Sequence, residues 1–316
     1  METKLARISQ LSKENPDLVF TSLGHLINKE LLKSCHAQMD GTKAVGIDGI
    51  TKEEYGRNLE ENINALIERL KKKSYKPKPA RLVEIPKDNG KMRPLSIYCY
   101  EDKLVQEALR RILEAVFEPM FYDEMMGFRP NRGCHKAIRK LNLMLERKPT
   151  NYVLDADIKG FFQHLDHEWI IRFIESRIKD PNIIRLVRRM LKAGIMNNYE
   201  FEETEEGSGQ GSVCSPVISC IYMHYVLVWW FKEVITPKLK GTRSIASTSK
   251  IKSRLTAALV INSFESRPAD LVTTVTDHPE RTGRYHPYVS ESLLRDIRSN
   301  HTVLGCLPLL FPQCCR

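Results

Sequence analysis

Asp88-Asn89-Gly90 is the feature that most restricts what this chain can become. It stands between Arg81–Pro86, which alternates like a strand, and the apolar-rich run Met92–Tyr98, and such a tripeptide between two strand-like runs signals a tight hairpin. A hairpin demands antiparallel pairing, so the chain cannot be all helix. Yet both flanks are helical in pattern. Leu23–Ser34 and Tyr55–Lys73 carry apolar residues at three- and four-residue spacing, with Thr51 placed to cap the second and Glu53 and Glu54 in its first turn. Glu101–Phe117 sets Leu104, Ala108, Leu109, Ile112 and Val116 on one side. The expected class is α+β, and 316 residues suffice for two domains or one large body with an appendage.

Further along, Tyr152–Ile158 reads as a short strand. Asp166 caps a helix from His167 to about Ile178, and Pro181–Leu191 forms another. Residues 201–212 read as a loop, and Ser215-Pro216 starts an apolar helix ending near Pro237. Val217–Phe231 is the most apolar stretch, but it contains His224 and is too short to span a bilayer. Met1–Gln10 lacks the apolar core of a signal peptide. The eight cysteines, Cys35, Cys99, Cys134, Cys214, Cys220, Cys306, Cys314 and Cys315, include no C-x-x-C pair and no zinc-like cluster. They read as reduced, mostly buried thiols, and the expected location is cytoplasmic.

A net charge of +10 and a pI near 9.1 favour a polyanionic partner, because Lys and Arg release counterions from phosphates. Two places concentrate that charge. Lys71, Lys72, Lys73, Lys76 and Lys78 lie in a segment that two prolines keep extended, with Tyr75 among them. Arg129 and Arg132 lie in the irregular stretch Gly127–Gly133 before a helix, which suits either phosphate contact or a solvated turn. Lys87 and Arg93 flank the hairpin turn; pairing brings them near each other and able to hold a polyphosphate, although exposed hairpin charges usually do nothing. In Leu154-Asp155-Ala156-Asp157-Ile158-Lys159-Gly160-Phe161-Phe162, Asp155 and Asp157 project to one strand face. They suit a bound Mg²⁺, although an arbitrary Asp-x-Asp is more often two solvent-facing strand-end carboxylates. The glycines of Gly207–Pro216 free the backbone to approach a ligand or duplex closely.

The order of these elements is more telling than any one of them. A basic hairpin, Gly-Phe-Arg-Pro, Asp-Ile-Lys-x-Phe-Phe and Gln-Gly-x-x-x-Ser-Pro, over residues 40 to 240, resemble the reverse transcriptases of group II introns. The resemblance implies α+β fingers and a palm, with a helical N-terminal extension that touches nucleic acid. Asp157 matches the family's first metal-binding aspartate, with the Ile158 carbonyl helping to hold Mg²⁺. Phe162 looks like the steric gate against a 2′-hydroxyl. Lys87 and Arg93 resemble the triphosphate-gripping residues, and Gln210 and Gly211 those lining the nucleotide pocket. The implied partners are intron RNA, an RNA template with a DNA primer, and dNTP, with no membrane.

The chain departs from the family after Lys240. The Tyr-Ala-Asp-Asp hairpin expected there is replaced by Thr242–Ser247, and no Asp-Asp pair follows. Gln163 and Gly209 stand where the family commonly has Asp and Pro. Lysine falls from 23 residues before Gly241 to 2 after it, which marks the remainder as foreign in character. The expected layout is a helical extension over 1–80, fingers over 81–150, a partial palm over 151–240, and an unrelated, poorly structured tail over 241–316. The implied function is a catalytically impaired RNA-directed DNA polymerase; the alternatives are a maturase-like RNA binder without polymerisation and a mobile-element remnant. The strand at Asp157 is expected to be left with an unpaired edge, inviting a dimer or a complementing chain.

Overall fold

Local signals shape the N-terminal region directly. In the computed structural model, α1 spans Glu2–Glu14 and α2 Lys29–Gln38, the latter capped by Asn28, whose side chain accepts from Leu31 N at 3.1 Å. The helix α3 (Lys52–Arg57) opens on a full capping box: Thr51 Oγ1 accepts from Glu54 N at 3.1 Å, and Glu54 Oε2 accepts from Thr51 N at 2.9 Å. The single helix predicted over Tyr55–Lys73 is broken at Asn58, whose ψ of 41° is not helical, and resumes as α4 (Leu59–Lys71). The structure describes residues 2–86, 90, 92–147, 153–156, 158, 160–197, 200–235, 258–261 and 274–276.

The hairpin forms as expected. Strands β1 (Ala80–Pro86) and β2 (Met92–Ile97) pair antiparallel from Arg81↔Ile97 to Pro86↔Met92. Gly90 has φ +76°, as a tight turn requires. Helix α5 (Tyr100–Phe117) follows, and Leu104, Ala108, Leu109, Ile112 and Val116 are fully buried, as their spacing predicts. It packs against α1 and α2, and Val105 and Leu113 are equally buried, so α5 is a core helix rather than a surface one. Each buried Leu, Ile or Val side chain contributes about 1.5–3 kcal/mol by leaving water.

After α6 (Cys134–Arg147) and β3 (Val153–Ala156) come α7 (His167–Glu175) and α8 (Pro181–Leu191). Asp166 caps α7, accepting from Trp169 N at 2.8 Å. Asp180 caps α8 through Asn182 N at 2.8 Å, and its other oxygen takes Leu23 N at 2.6 Å and Gly24 N at 2.7 Å. One buried carboxylate thereby ties the start of α8 to the N-terminal region. The loop predicted over 201–212 is entered by a strand: β4 (Ile195–Asn197) and β5 (Glu200–Glu202) form a small antiparallel pair. The apolar helix begins at Ser215 as predicted; α9 covers Ser215–Met223 and continues as π-helical turns over His224–Trp229 and Phe231–Ile235. Short strands β6 (Ala258–Ile261) and β7 (Thr274–Thr276) follow.

Two sheets result. The first has the order β2-β1-β4-β5, with β1 and β4 parallel through Ala80↔Ile195 and Arg81↔Met196. The second has the order β6-β3-β7. The expected unpaired edge at β3 is therefore not found: β3 is the central strand, parallel to β6 and antiparallel to β7, because residues beyond Lys240 supply backbone partners on both sides.

The chain divides into two compact units, each assembled from separated stretches. The first combines Met1–Phe121 with Phe162–Tyr222, the second Tyr122–Phe161 with Met223–Arg316. Among the described cysteines, Cys35, Cys99, Cys214 and Cys220 are buried free thiols and Cys134 is exposed. Among the described residues no helix is long and apolar enough to cross a membrane.

Candidate functional site

Strand β2 is an outer strand of its sheet, so its free side needs hydrogen-bond partners. The glycine-rich loop supplies them. Ser96 N donates to the Gln210 carbonyl at 2.7 Å. Gly211 has φ +114° and lies so close to the Ser96 carbonyl that any Cβ would collide with it. With its amide oxygen turned toward Arg93, Gln210 accepts from Arg93 Nη2 at 2.6 Å and Nε at 2.8 Å, while its amide nitrogen donates to the Pro94 carbonyl at 3.1 Å. Two residues far apart in sequence, each singled out from its motif, thus meet. A neutral amide orients the guanidinium without cancelling its charge.

The loop is held from behind by a residue that sequence reading missed. Gln106 is 1% exposed on the core helix α5, and its side-chain oxygen accepts from Val213 N at 3.0 Å. Its place between the buried Val105 and Glu107, on the apolar side of α5, was the available signal, since a buried amide must find a partner. Ser215 Oγ adds a bond to the Gly209 carbonyl at 3.0 Å and another to that of Ser208.

Phe162 lies in the 3-10 turn Phe161–Gln163, half-buried, and its carbonyl accepts from Ser208 N at 2.9 Å. Arg93, Phe162, Gln210 and Gly211 are therefore gathered in the first unit around one loop. Ile158 belongs to the second unit and is half-buried. Lys87 and Asp157 lie outside the described residues.

The basic residues divide by what they touch. Lys71 and Lys72 extend into solvent, loosely paired with Glu68 at 4.0 and 3.9 Å. Lys73 closes the helix end with φ +60°. Lys76 and Lys78 line a cavity of about 440 Å³ with Asp48, Arg69, Glu101 and Asp102, and Lys78 Nζ is 3.1 Å from Asp48. Asp102, 3% exposed, accepts from Tyr75 Oη at 2.5 Å and Lys78 N at 3.0 Å; burial pushes its carboxyl up to about 6. Arg129 differs from expectation. It is 7% exposed and donates to the carbonyls of Tyr122 at 2.6 Å and Met125 at 2.9 Å, bracing its own loop. Arg132 likewise bonds Asp123, through the carboxylate at 2.7 Å and the carbonyl at 3.2 Å.

Residues 85–246, just over half of the chain, match the family model described as reverse transcriptase (RNA-dependent DNA polymerase). The chain belongs to the reverse transcriptase family. Its resemblance to group II intron proteins is borne out by named relatives. Group II intron-encoded protein LtrA of Lactococcus lactis subsp. cremoris is 38% identical over 222 residues, 70% of this chain and 37% of that protein. Protein YkfC of Escherichia coli (strain K12) is 31% identical over 232 residues, 72% of this chain and 60% of that protein. Nuclear intron maturase 4, mitochondrial, of Arabidopsis thaliana is 31% identical over 126 residues, 38% of this chain and 15% of that protein. The chain spans little more than a third of the length of the LtrA protein it matches.

Reverse transcriptases are metal-dependent, and a two-metal centre needs carboxylates from more than one strand. The strands flanking β3 carry none: β6 reads Ala258-Leu259-Val260-Ile261 and β7 Thr274-Val275-Thr276. Among the described residues no group of three or more His, Cys, Asp or Glu is placed to hold a metal.

Proposed function

We propose that this chain is a group II intron-type reverse transcriptase domain that keeps the nucleotide- and RNA-gripping half of the machinery while its polymerase centre is incomplete. The Arg93–Gln210 pair, on the loop whose Ser208 N holds the Phe162 carbonyl, carries this reading. Arg93, with Lys87, would hold the triphosphate of an incoming dNTP; Gln210 and Gly211 would line its pocket; Phe162 would pack under the sugar. Lys71, Lys72, Lys73 and Lys76 would meet the phosphates of intron RNA or of an RNA template with its DNA primer. In this reading residues 1–80 are the N-terminal extension, 81–150 the fingers and 151–240 the incomplete palm. Mg²⁺ would need carboxylates beyond Asp157 and the Ile158 carbonyl, supplied by another part of the chain or by a second polypeptide.

A second reading, RNA binding without polymerisation, is favoured by the absence of carboxylates on β6 and β7. RNA-templated primer extension with Mg²⁺, beside an Asp157→Ala control, separates the two. Extension abolished by the substitution means the missing carboxylates are supplied and the domain is a polymerase. No extension by either protein, with native circular dichroism and RNA affinity falling steeply with salt, leaves an RNA-binding domain.

A further inference from the structure

His167 stands at the root of the loop that carries Gln210. It is the first residue of α7 and 6% exposed, and its Nε2 lies 2.6 Å from the Gly207 carbonyl. A carbonyl only accepts, so Nε2 carries the proton and donates. Nδ1 is then a buried acceptor, with no hydrogen-bond partner among the described residues. Leaving such an atom unpaired is costly, and an apolar side chain would fill the position without that cost. The imidazole is retained at a net expense unless its one bond matters.

That bond closes a clamp. Gly207 N donates to the Leu165 carbonyl at 2.8 Å, so both polar backbone atoms of Gly207 are tied to the segment entering α7. Ser208 N holds the Phe162 carbonyl at 2.9 Å. Gly207 has φ +86°, and a Cβ there would stand 2.8 Å from the Gln163 carbonyl, so the loop start presses directly on the turn bearing Phe162. Three residues after Gly207, the loop is fastened to β2 at Gln210. The glycine-rich span between the two fastenings has little stiffness of its own. Ser215 Oγ holds the carbonyls of its middle, Ser208 and Gly209, and His167 is a side chain that holds its Phe162 end.

We propose that His167 is a positioning residue: by holding the Gly207 carbonyl it sets the separation of Phe162 from Gln210, and with it the pocket's discrimination against a 2′-hydroxyl. The proposal rests on the nucleotide-pocket reading above. His167 touches no substrate and acts through the loop.

The test uses the full chain and three variants. His167→Phe keeps a ring and removes the donor, His167→Gln restores an N–H, and Phe162→Ala is the reference for a lost gate. Thermal melting checks folding. Deuterium exchange is read over 161–165 and 206–211, and affinities are measured for a fluorescent dNTP and its matching rNTP. The expected result is a dNTP preference in the parent chain, its loss in Phe162→Ala, a roughly three- to tenfold reduction in His167→Phe, and recovery in His167→Gln. Faster exchange in His167→Phe, confined to the two segments, is expected alongside. Unchanged preference and exchange in His167→Phe overturns the proposal. So does a natively melting His167→Gln that loses the preference, which also decides the matter if His167→Phe does not fold. If parent and Phe162→Ala bind neither nucleotide, the nucleotide-pocket reading fails and the selectivity claim fails with it; exchange over 206–211 then still decides whether His167 is the clamp.

Discussion

Helices α5 and α6 are both amphipathic by sequence, yet they end in opposite surroundings. Thirteen of the eighteen residues of α5 are buried, including the polar Asp102, Gln106 and Glu107. In α6 no residue is buried; Ile138 is 65% exposed, and Leu143 and Leu145 are exposed as well. The difference lies outside the helices. Helix α5 has α1 and α2 against it and the Val213–Cys214 segment hydrogen-bonded to Gln106, so every face has a partner. No described element of the second unit covers the apolar stripe of α6 to a comparable degree. An apolar stripe is enough to favour a helix, but its contribution to stability waits on a partner.

The largest test of this contrast is Leu109→Ala in α5. Loss of a fully buried leucine should cost about 2–5 kcal/mol in denaturant unfolding. A loss below about 1 kcal/mol would mean that α5 is not the core helix described. Next is Asp180→Ala, which strips the shared acceptor from Leu23 N and Gly24 N as well as the α8 cap; about 2–3 kcal/mol should go. Burial alone would raise the Asp180 carboxyl, but backbone N–H groups at Gly24, Leu23, Asn182 and Ile183 outweigh it and hold the carboxyl below its ordinary value. Its contribution is therefore complete above the ordinary aspartate range and is lost as pH falls through the depressed folded value.

Acid acts with opposite sign on two buried groups, Asp102 and His224. Burial raises Asp102 of the first unit to about 6, so between about pH 4 and 6 the folded state holds a proton that the unfolded chain releases. Stability at this group falls as pH rises through that window, by on the order of 1–3 kcal/mol. His224 of the second unit is lowered to about 4, first by burial and then by the Arg129 charge. Between about pH 4 and 6.5 the unfolded chain binds a proton that the fold excludes, so stability at this group rises with pH. Asp102→Asn should remove the fall and His224→Phe the rise, each read by exchange within its own unit across the window. Matching slopes before and after either substitution would break the assignment. Smallest of all, Leu145→Ala on α6 should stay within about 0.5 kcal/mol. A cost like that of Leu109→Ala would reveal a covered α6 and erase the contrast.

Much of this was legible beforehand, and the reasons are local. Asp180 followed by Pro181 marks a helix start, and α8 begins and ends at the predicted residues. Thr51 with Glu54, and the hairpin around Gly90, formed as their spacing required. The break at Asn58 was hidden because apolar spacing continues across it. Strands β4 and β5 were missed because three-residue strands are too short for alternation to appear. For the site, motif order singled out Arg93, Phe162, Gln210 and Gly211 separately, but not that Gln210 would meet Arg93. Arg129 was read as available charge, whereas the Tyr122 and Met125 carbonyls engage it.

The sequence alone determined what depends on neighbours a few residues away: caps, the turn, helical stripes, the basic balance, and the order of motifs that marks a reverse transcriptase. Only the tertiary structure decided which amphipathic helix became the core, which strands flank β3, and which polar residues, Gln106 and His167 among them, hold the glycine loop between Phe162 and Arg93. Those outcomes rest on contacts between segments far apart in the chain. Their strength comes from burial and from pairing every buried polar atom, and neither quantity exists until the segments are packed together.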